Sequence, residues 1–551
     1  MKRIIALVLT LAMVFTMAGF SQMNASAKVK KIKAKKKVTV QVGKSKTVKI
    51  KIKTTGKTKK AFTVKVSKKK IVKVKKKKGK IIIKGRKVGK CKITIRSKAN
   101  KKKKKVIKVT VKAADAKLSV KQANEKVLAL SFSKKVNLKE SNVKIESKSY
   151  PTGNYKYTYK LSSFSTSDNK NYTVAVNGYF PEAGKVKTTV TGVNKKALVN
   201  EIDVSAPTYE TTRKYYRTGT VGDEYDEEFD VDDYTCKGSG KVKSVSGLPA
   251  GIGYTEKFGV LRVKGTLKNT GVFISKILVE DEKGYVNTLQ ITFIVGSAST
   301  LVTYADRKIV YVSNEGGGYE TSASIRIYTA GGSGSYTNKI VSKDSIFDNN
   351  IGTYYWDTDS TKNPGTYTGR YEVTDDYNTN LKATGTVVLE ARPARLVKGK
   401  VYSASGKGVR YASVGTEQKT YVEGDAPYGG TEADVNGSYS FYLASGVYDI
   451  YASKSGKSAW VLNKRVTSSF TQNFKLDLYE VTLTADGVNL ENAYDWEDLE
   501  DNYYYGDGNK IFMPKGTHRM VGWIYKDSSY KKVEATFTVS GDMTVKCSVK
   551  N

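Results

Sequence analysis

Short runs in which a β-branched residue takes every second position recur along this chain of 551 residues. Val48-Lys49-Ile50-Lys51-Ile52-Lys53 and Tyr172-Thr173-Val174-Ala175-Val176 are two of them. A strand points successive side chains to opposite faces, so this spacing predicts strands with one face buried and the other in solvent. No convincing amphipathic helical pattern longer than a few turns accompanies them. Gly, Asn, Asp and Ser break the runs at hairpin-like intervals, and two of the eight prolines, Pro207 and Pro393, fall where composition changes. The chain is therefore expected to be all-β. It is too long for one core, and it divides into six modules of about 75–95 residues, the size of small β-sandwiches.

Between Lys28 and Lys112 there are 37 Lys and 2 Arg but no Asp or Glu, and the first acidic residue is Asp115. Of the formal net charge of +45, this segment supplies +39. Charge alone would suggest disorder, but Val38, Val40 and Val42, then Cys91, Ile93 and Ile95, alternate with polar residues. Lysines can stand outward while the apolar face packs inward, and Cys91 falls on the inward side as a small core residue. Such a module calls for a polyanion. The candidate contacts are Lys35, Lys36 and Lys37; Lys68, Lys69 and Lys70; Lys75, Lys76, Lys77 and Lys78; and Lys101, Lys102, Lys103, Lys104 and Lys105. Lys is a hydrated point charge without the bidentate fork of Arg, and Phe62 is the sole aromatic in the segment. Both points place an anionic cell-wall polymer, acidic polysaccharide or anionic lipid headgroup ahead of any specific nucleic acid.

Several segments carry family likenesses. The order V-G-K-S-K-T-V-K-I, S-K-K-K-I-V-K-V and G-K-I-I-I-K-G-R-K-V-G-K-C-K-I-T-I resembles the bacterial Ig-like group 2 domain over residues 28–113. Residues 114–205, through Val127 to Val136 and Ser167-Asp168-Asn169-Lys170-Asn171-Tyr172, resemble the Ig-like repeats of surface-layer proteins. Residues 206–298, with Gly247-Leu248-Pro249-Ala250-Gly251, resemble the Ig domain bearing a G-L-P-x-G signature. Residues 299–395 have a looser Ig-like or polycystic-kidney-domain-like pattern. Residues 396–477, with Asp434, Asn436-Gly437-Ser438-Tyr439-Ser440-Phe441 and Gly446-Val447-Tyr448, resemble the carboxypeptidase regulatory-like domain, a non-catalytic transthyretin-like sandwich. Asn436-Gly437 has the chemistry of a tight hairpin. Residues 478–551 echo the second half of that module and set His518 in the place of Tyr448. Together the likenesses imply a secreted surface protein of the Gram-positive type, built from tandem Ig-like and transthyretin-like β-sandwiches.

Residues 1–27 read as a signal peptide, with Lys2 and Arg3, an apolar stretch from Ile4 to Phe20, and Ala25-Ser26-Ala27 at the cut. No membrane span is expected once it is removed, and no sorting motif for covalent wall anchoring is visible. Cys91, Cys236 and Cys547 are widely spaced and His518 is the single histidine, so neither a metal centre nor a catalytic triad or dyad is expected. Paired carboxylates alone would suffice for a glycosidase. The cluster Asp223, Glu224, Asp226, Glu227, Glu228, Asp230, Asp232 and Asp233 is read as a solvated acidic stretch, with weak calcium binding as the alternative. Trp496 with Tyr503, Tyr504 and Tyr505 is the tentative glycan- or protein-binding cluster, and alternation should bury one or two of its rings. Tyr354, Tyr355 and Trp356 pose the same question. The resulting expectation is a linear series of modules: a secreted, envelope-associated binding or adhesion protein, non-enzymatic and without cofactor. A structural spacer and an accessory carbohydrate hydrolase are the alternatives.

Overall fold

The computed structural model describes residues 28–55, 60–148, 156–181, 183–205, 211–235, 239–282, 284–500, 503–506, 508–526 and 528–550. The leader 1–27, Pro207, Cys236 and Asp501 lie outside them. Within them the fold is all-β, with two short 3-10 turns, Glu140–Asn142 and Val231–Tyr234, as the only helical elements. No helix among the described residues is long and apolar enough to cross a membrane.

The chain falls into two compact units. The first runs to Leu118 and includes Phe132–Val136 and Thr191–Leu198. Its main sheet has the strand order Lys37–Gln41, Lys104–Lys112, Gly89–Ser97, Phe62–Val66, and a second sheet has Ser45–Lys49, Lys80–Gly85, Val72–Lys77. The alternation is realised residue by residue: Cys91, Ile93 and Ile95 are buried while Lys90, Lys92 and Arg96 are exposed. Facing them in register, Val109 pairs with Cys91 and Ile107 with Ile93. Ile81 and Ile83 of the second sheet complete the core. Each buried Val or Ile contributes on the order of 1.5–3 kcal/mol, which is how so charged a segment can hold a fold.

The second unit comprises Ser119–Ser131, Asn137–Val190 and Val199–Asn551. Its sheets lie in facing layers around separate cores, including those lined by Leu261 and Ile291, by Ile325 and Val387, by Val414 and Val397, and by Val481 and Met520. One pairing recurs in both units. An early strand of a segment lies parallel to its last: Lys37–Gln41 beside Lys104–Lys112, Thr212–Thr220 beside Val286–Gly296, Lys308–Val312 beside Lys382–Pro393, and Tyr479–Thr484 beside Met543–Lys546. Such pairs cannot come from hairpins, because a parallel partner needs a long crossover.

Two expectations are corrected here. Asn436-Gly437 does form a turn: Gly437 has φ +78° and the Asp434 carboxylate accepts from the backbone of Asn436 and Ser438. The flanking strands Gly430–Glu432 and Ser438–Leu443, however, belong to different sheets, so the turn crosses between layers and closes no hairpin. The simple linear series also fails. Asn124 Nδ2 donates to Asp449 Oδ2 at 2.9 Å, Lys419 Nζ donates to the Ala123 carbonyl at 2.9 Å, and the Ser162 and Ser458 hydroxyls lie 2.9 Å apart. These contacts join stretches about three hundred residues apart. Other contacts join sequence neighbours: Tyr216 stacks on Tyr328 at 4.5 Å, Lys214 pairs with Asp306 at 3.0 Å, and Lys308 pairs with Asp425 at 2.7 Å.

The long-range contact surrounds one anomalous carboxyl. Burial, reinforced by Glu125 and Asp449, raises Glu417 to about 7 against the opposing pull of Lys126 and Lys419. A carboxyl raised in the folded state binds more protons there than when unfolded, so stability falls as pH climbs from its ordinary value to about 7. We predict that the hydrogen-exchange protection factors of the strands Ser413–Gln418 and Asn171–Val176, corrected for the intrinsic pH dependence of amide exchange, are higher at pH 5 than at pH 8. Glu417→Gln should remove most of that difference; an unchanged pH dependence would count against this assignment.

Candidate functional site

Strand pairing sorts the predicted lysines into separate places. Lys98 N donates to the Ala61 carbonyl at 2.9 Å, and Ile50 N to the Gly79 carbonyl at 2.7 Å. The turns carrying Lys101–Lys105 and Lys75–Lys78 therefore lie at one end of the sandwich. Lys68–Lys70 follow the strand Phe62–Val66 and lie at the other end, while Lys35–Lys37 lead into the strand Lys37–Gln41. All fifteen are exposed except Lys105, which is half-buried. It pairs with buried Ile95 and shares the inward parity of Ile107, so it belongs to the rim of the core, contrary to its grouping with the outward lysines.

At the first end a cleft of about 1010 Å³ is lined by Lys51, Lys53, Lys60, Lys76, Lys77 and Lys78 over a floor that includes Ile50, Ile52 and Phe62. Lys76 Nζ sits 5.0 Å from the Phe62 ring centre. Lys51, Lys53 and Lys60 were not singled out in the sequence. Lys51 and Lys53 flank a single isoleucine and Lys60 follows Lys59, and the three converge only in the folded chain. Like charges crowd nearby: Lys53, with Lys31 and Lys51, holds the Lys33 ammonium below its usual value. Gln41 Nε2 reaches the nearest acid in sequence, Asp115, at 2.8 Å. Burial pushes the Cys91 thiol up against the opposing influence of Lys68, as befits a core residue.

The acidic cluster is engaged locally. Arg262 Nε donates to Asp226 Oδ1 at 2.6 Å, Arg217 Nε to Glu227 Oε2 at 2.8 Å, and the Asp223 and Asp232 carboxylates accept backbone N–H groups of Thr220 and Gly240. No group of three or more His, Cys, Asp or Glu among the described residues is placed to hold a metal ion.

The aromatic cluster is kept together only in part: the Tyr503 and Tyr505 rings pack edge to face, 4.9 Å between centres. Trp496 is completely buried, donates from Nε1 to the Gly508 carbonyl at 2.7 Å, and covers Gly522, where a Cβ would come within 2.6 Å of the indole. It is a core residue, which corrects its assignment as a ligand contact. Tyr504 is exposed and donates to Asp495 at 2.9 Å, and Tyr505 packs against the C-terminal core. Tyr503 faces the turn at Ser455 and Gly456. Trp356 is likewise buried against Phe347, while Tyr354 and Tyr355 are exposed.

His518 has a partner that sequence inspection missed. Its Nδ1 lies 2.6 Å from Asp498 Oδ2 and its Nε2 2.9 Å from the Pro514 carbonyl, with both side chains buried. Asp498 Oδ1 also accepts the backbone N–H groups of Arg519 and Glu500. Tyr448 reaches the Ala444 carbonyl at 3.1 Å, the same four-residue back-step, so the equivalence drawn between His518 and Tyr448 has a geometric counterpart. The pair is sealed from solvent and opens onto no cleft, which makes it a structural clamp.

No known family profile matches the chain, and no curated protein matches it. Solved structures similar to it include domains 5–6 of the S-layer protein SbsC, at 20% identity over 33% of this chain and 100% of that one, with a TM-score of 0.15. The N-terminal eight Ig domains of Down Syndrome Cell Adhesion Molecule align at 10% identity over 95% and 74% of the two chains, with a TM-score of 0.20. The insect immune protein hemolin aligns at 11% over 66% and 100%, with a TM-score of 0.17. At such scores the functional argument rests on the residues themselves.

Two substitutions test the C-terminal assignments. Trp496→Ala should cost about 3–5 kcal/mol in denaturant unfolding, the range for deleting a buried aromatic. His518→Tyr leaves the Asp498 carboxylate buried without its imidazole partner and should cost a similar ~3–5 kcal/mol. A neutral result for either would show the site to be more open than described.

Proposed function

We propose that the chain is a secreted, cell-envelope-associated binding protein of six β-sandwich modules, 28–113, 114–205, 206–298, 299–395, 396–477 and 478–551, following a leader removed after residue 27. The lysine-rich module docks on an anionic cell-wall polymer or acidic polysaccharide, and the later modules present a ligand surface. The first module is of the bacterial Ig-like group 2 type, the third of the G-L-P-x-G type, and the fifth of the carboxypeptidase regulatory-like type. The observation that carries the reading is the segment Lys28–Lys112: 39 cations without one carboxylate, nearly all of those in the described residues exposed around a packed apolar core. The cleft lined by Lys51, Lys53, Lys60 and Lys76–Lys78 is where an anionic chain relieves the most repulsion.

Binding of a glycerol-phosphate polymer to the full chain should weaken linearly in log affinity with log salt, by roughly 0.7–0.9 per phosphate neutralised. Reversing Lys75–Lys78 to Glu should abolish it without unfolding the module, because all four residues are exposed. Reversing Lys105 should instead destabilise the fold. A salt-insensitive interaction, or a strong preference for one nucleic-acid sequence, would refute the proposal.

A further inference from the structure

A second cavity, of about 330 Å³, lies within the second unit where three stretches of chain converge. Asn177 and Ser162 come from the sheet containing Asn171–Val176, Tyr451 and Trp460 from the strands Gly446–Lys454 and Lys457–Val466, and Tyr503 from the C-terminal module. None of these stretches forms the cavity alone, which is why no local motif announces it.

Its walls have a consistent chemistry. Tyr451 and Trp460 are cross-strand partners with ring centres 4.8 Å apart, and Trp460 Nε1 donates to Ser458 Oγ at 3.0 Å. Tyr411 adds an exposed aromatic ring, held at φ +54°, a left-handed backbone that bulky residues rarely adopt. Asn177 and the mutually hydrogen-bonded hydroxyls of Ser162 and Ser458 complete the polar part of the lining. Three ammonium groups reach the space. Lys126 lies 4.1 Å from the Tyr179 ring centre, and Lys457 is 3.5 Å from Glu140. Lys454 has no ion pair within 4 Å among the described residues; burial pushes its ammonium below the usual value, Glu432 opposing and Arg410 adding to the shift.

We propose that this cavity binds an acidic pyranose unit of a polysaccharide, with the aromatic rings against the sugar's C–H face, the hydroxyls and Asn177 on its ring hydroxyls, and Lys454 on its carboxylate. Aromatic faces set among hydroxyl, amide and ammonium groups offer a sugar both a platform for its C–H face and partners for its hydroxyls, and the volume suits one or two sugar rings. A neutral sugar would leave the Lys454 charge half-buried and unpaired, which sets the preference for an acid. The inference deepens the reading of the later modules as a ligand surface and is independent of the lysine-rich cleft.

The test is calorimetric titration of the full chain with trigalacturonate and with neutral galactotriose, at about 0.5 M salt to screen the exposed lysines. Trigalacturonate should bind and galactotriose at least about tenfold more weakly. Tyr411→Asn removes the ring while tolerating the left-handed backbone, and Lys454→Met keeps the stem without the charge. Each should weaken trigalacturonate about tenfold while leaving glycerol-phosphate polymer binding at low salt unchanged. Replacing Lys75–Lys78 with Gln should do the reverse. Absence of trigalacturonate binding, equal affinity for both sugars, or wild-type affinity in both cavity variants would overturn the inference. Loss of trigalacturonate binding in the Lys75–Lys78 variant alone would move the sugar to the lysine cleft, overturning this inference while sparing the docking proposal.

Discussion

Pleating carries the burden in the lysine-rich module. Thirty-nine like charges must be kept in water on the same short strands that supply a dry core, and only a two-residue period separates those demands so cleanly. Ile81, Ile83, Ile93, Ile95 and Ile107 have no measurable exposure, while their lysine neighbours in sequence project outward. Cohesion therefore comes from the inner faces and repulsion from the outer ones, and the two are not compensated by ion pairing within the segment. An anion bound at the outer faces would therefore stabilise the module as well.

The second unit handles charge differently. Its ionic groups are matched one to another at the joins: Asp306 takes Lys214 at 3.0 Å and the Tyr216 hydroxyl, and Glu423 lies 3.5 Å from both Arg307 and Arg392. Where a carboxylate is fully buried it is satisfied several times over, as Asp498 is by His518 and two backbone N–H groups. Glu417 is less fully matched, half-buried near Glu125 and Asp449 with its Oε2 lacking a hydrogen-bond partner. An incompletely satisfied acid at a contact between distant stretches makes that contact sensitive to pH in a way the matched joins are not.

The fate of the aromatic cluster illustrates how composition misleads about sites. Trp496 sits among acids in sequence and looked like a binding platform, yet strand parity turned it inward, where Gly522 leaves room for the indole. Tyr503 packs on Tyr505 yet also reaches a cavity whose other rings, Tyr411, Tyr451 and Trp460, lie remote from it in sequence. His518 was without a visible partner because Asp498 lies twenty residues upstream on another strand, at a separation no motif marks.

Read alone, the sequence determined the all-β class, the segregation of charge into one segment, the inward place of Cys91 and the outward place of nearly all the predicted lysines. These follow from period and composition, which act within a few residues. The tertiary structure decided the rest: the parallel pairing of early and last strands, the meeting of Asn124 with Asp449, the His518–Asp498 clamp, and the convergence of Lys51, Lys53 and Lys60 with Lys76–Lys78. Each of those depends on which strand lies beside which. That choice is made by long-range burial of whole faces, and alternation, being the same in every strand, does not distinguish one partner from another.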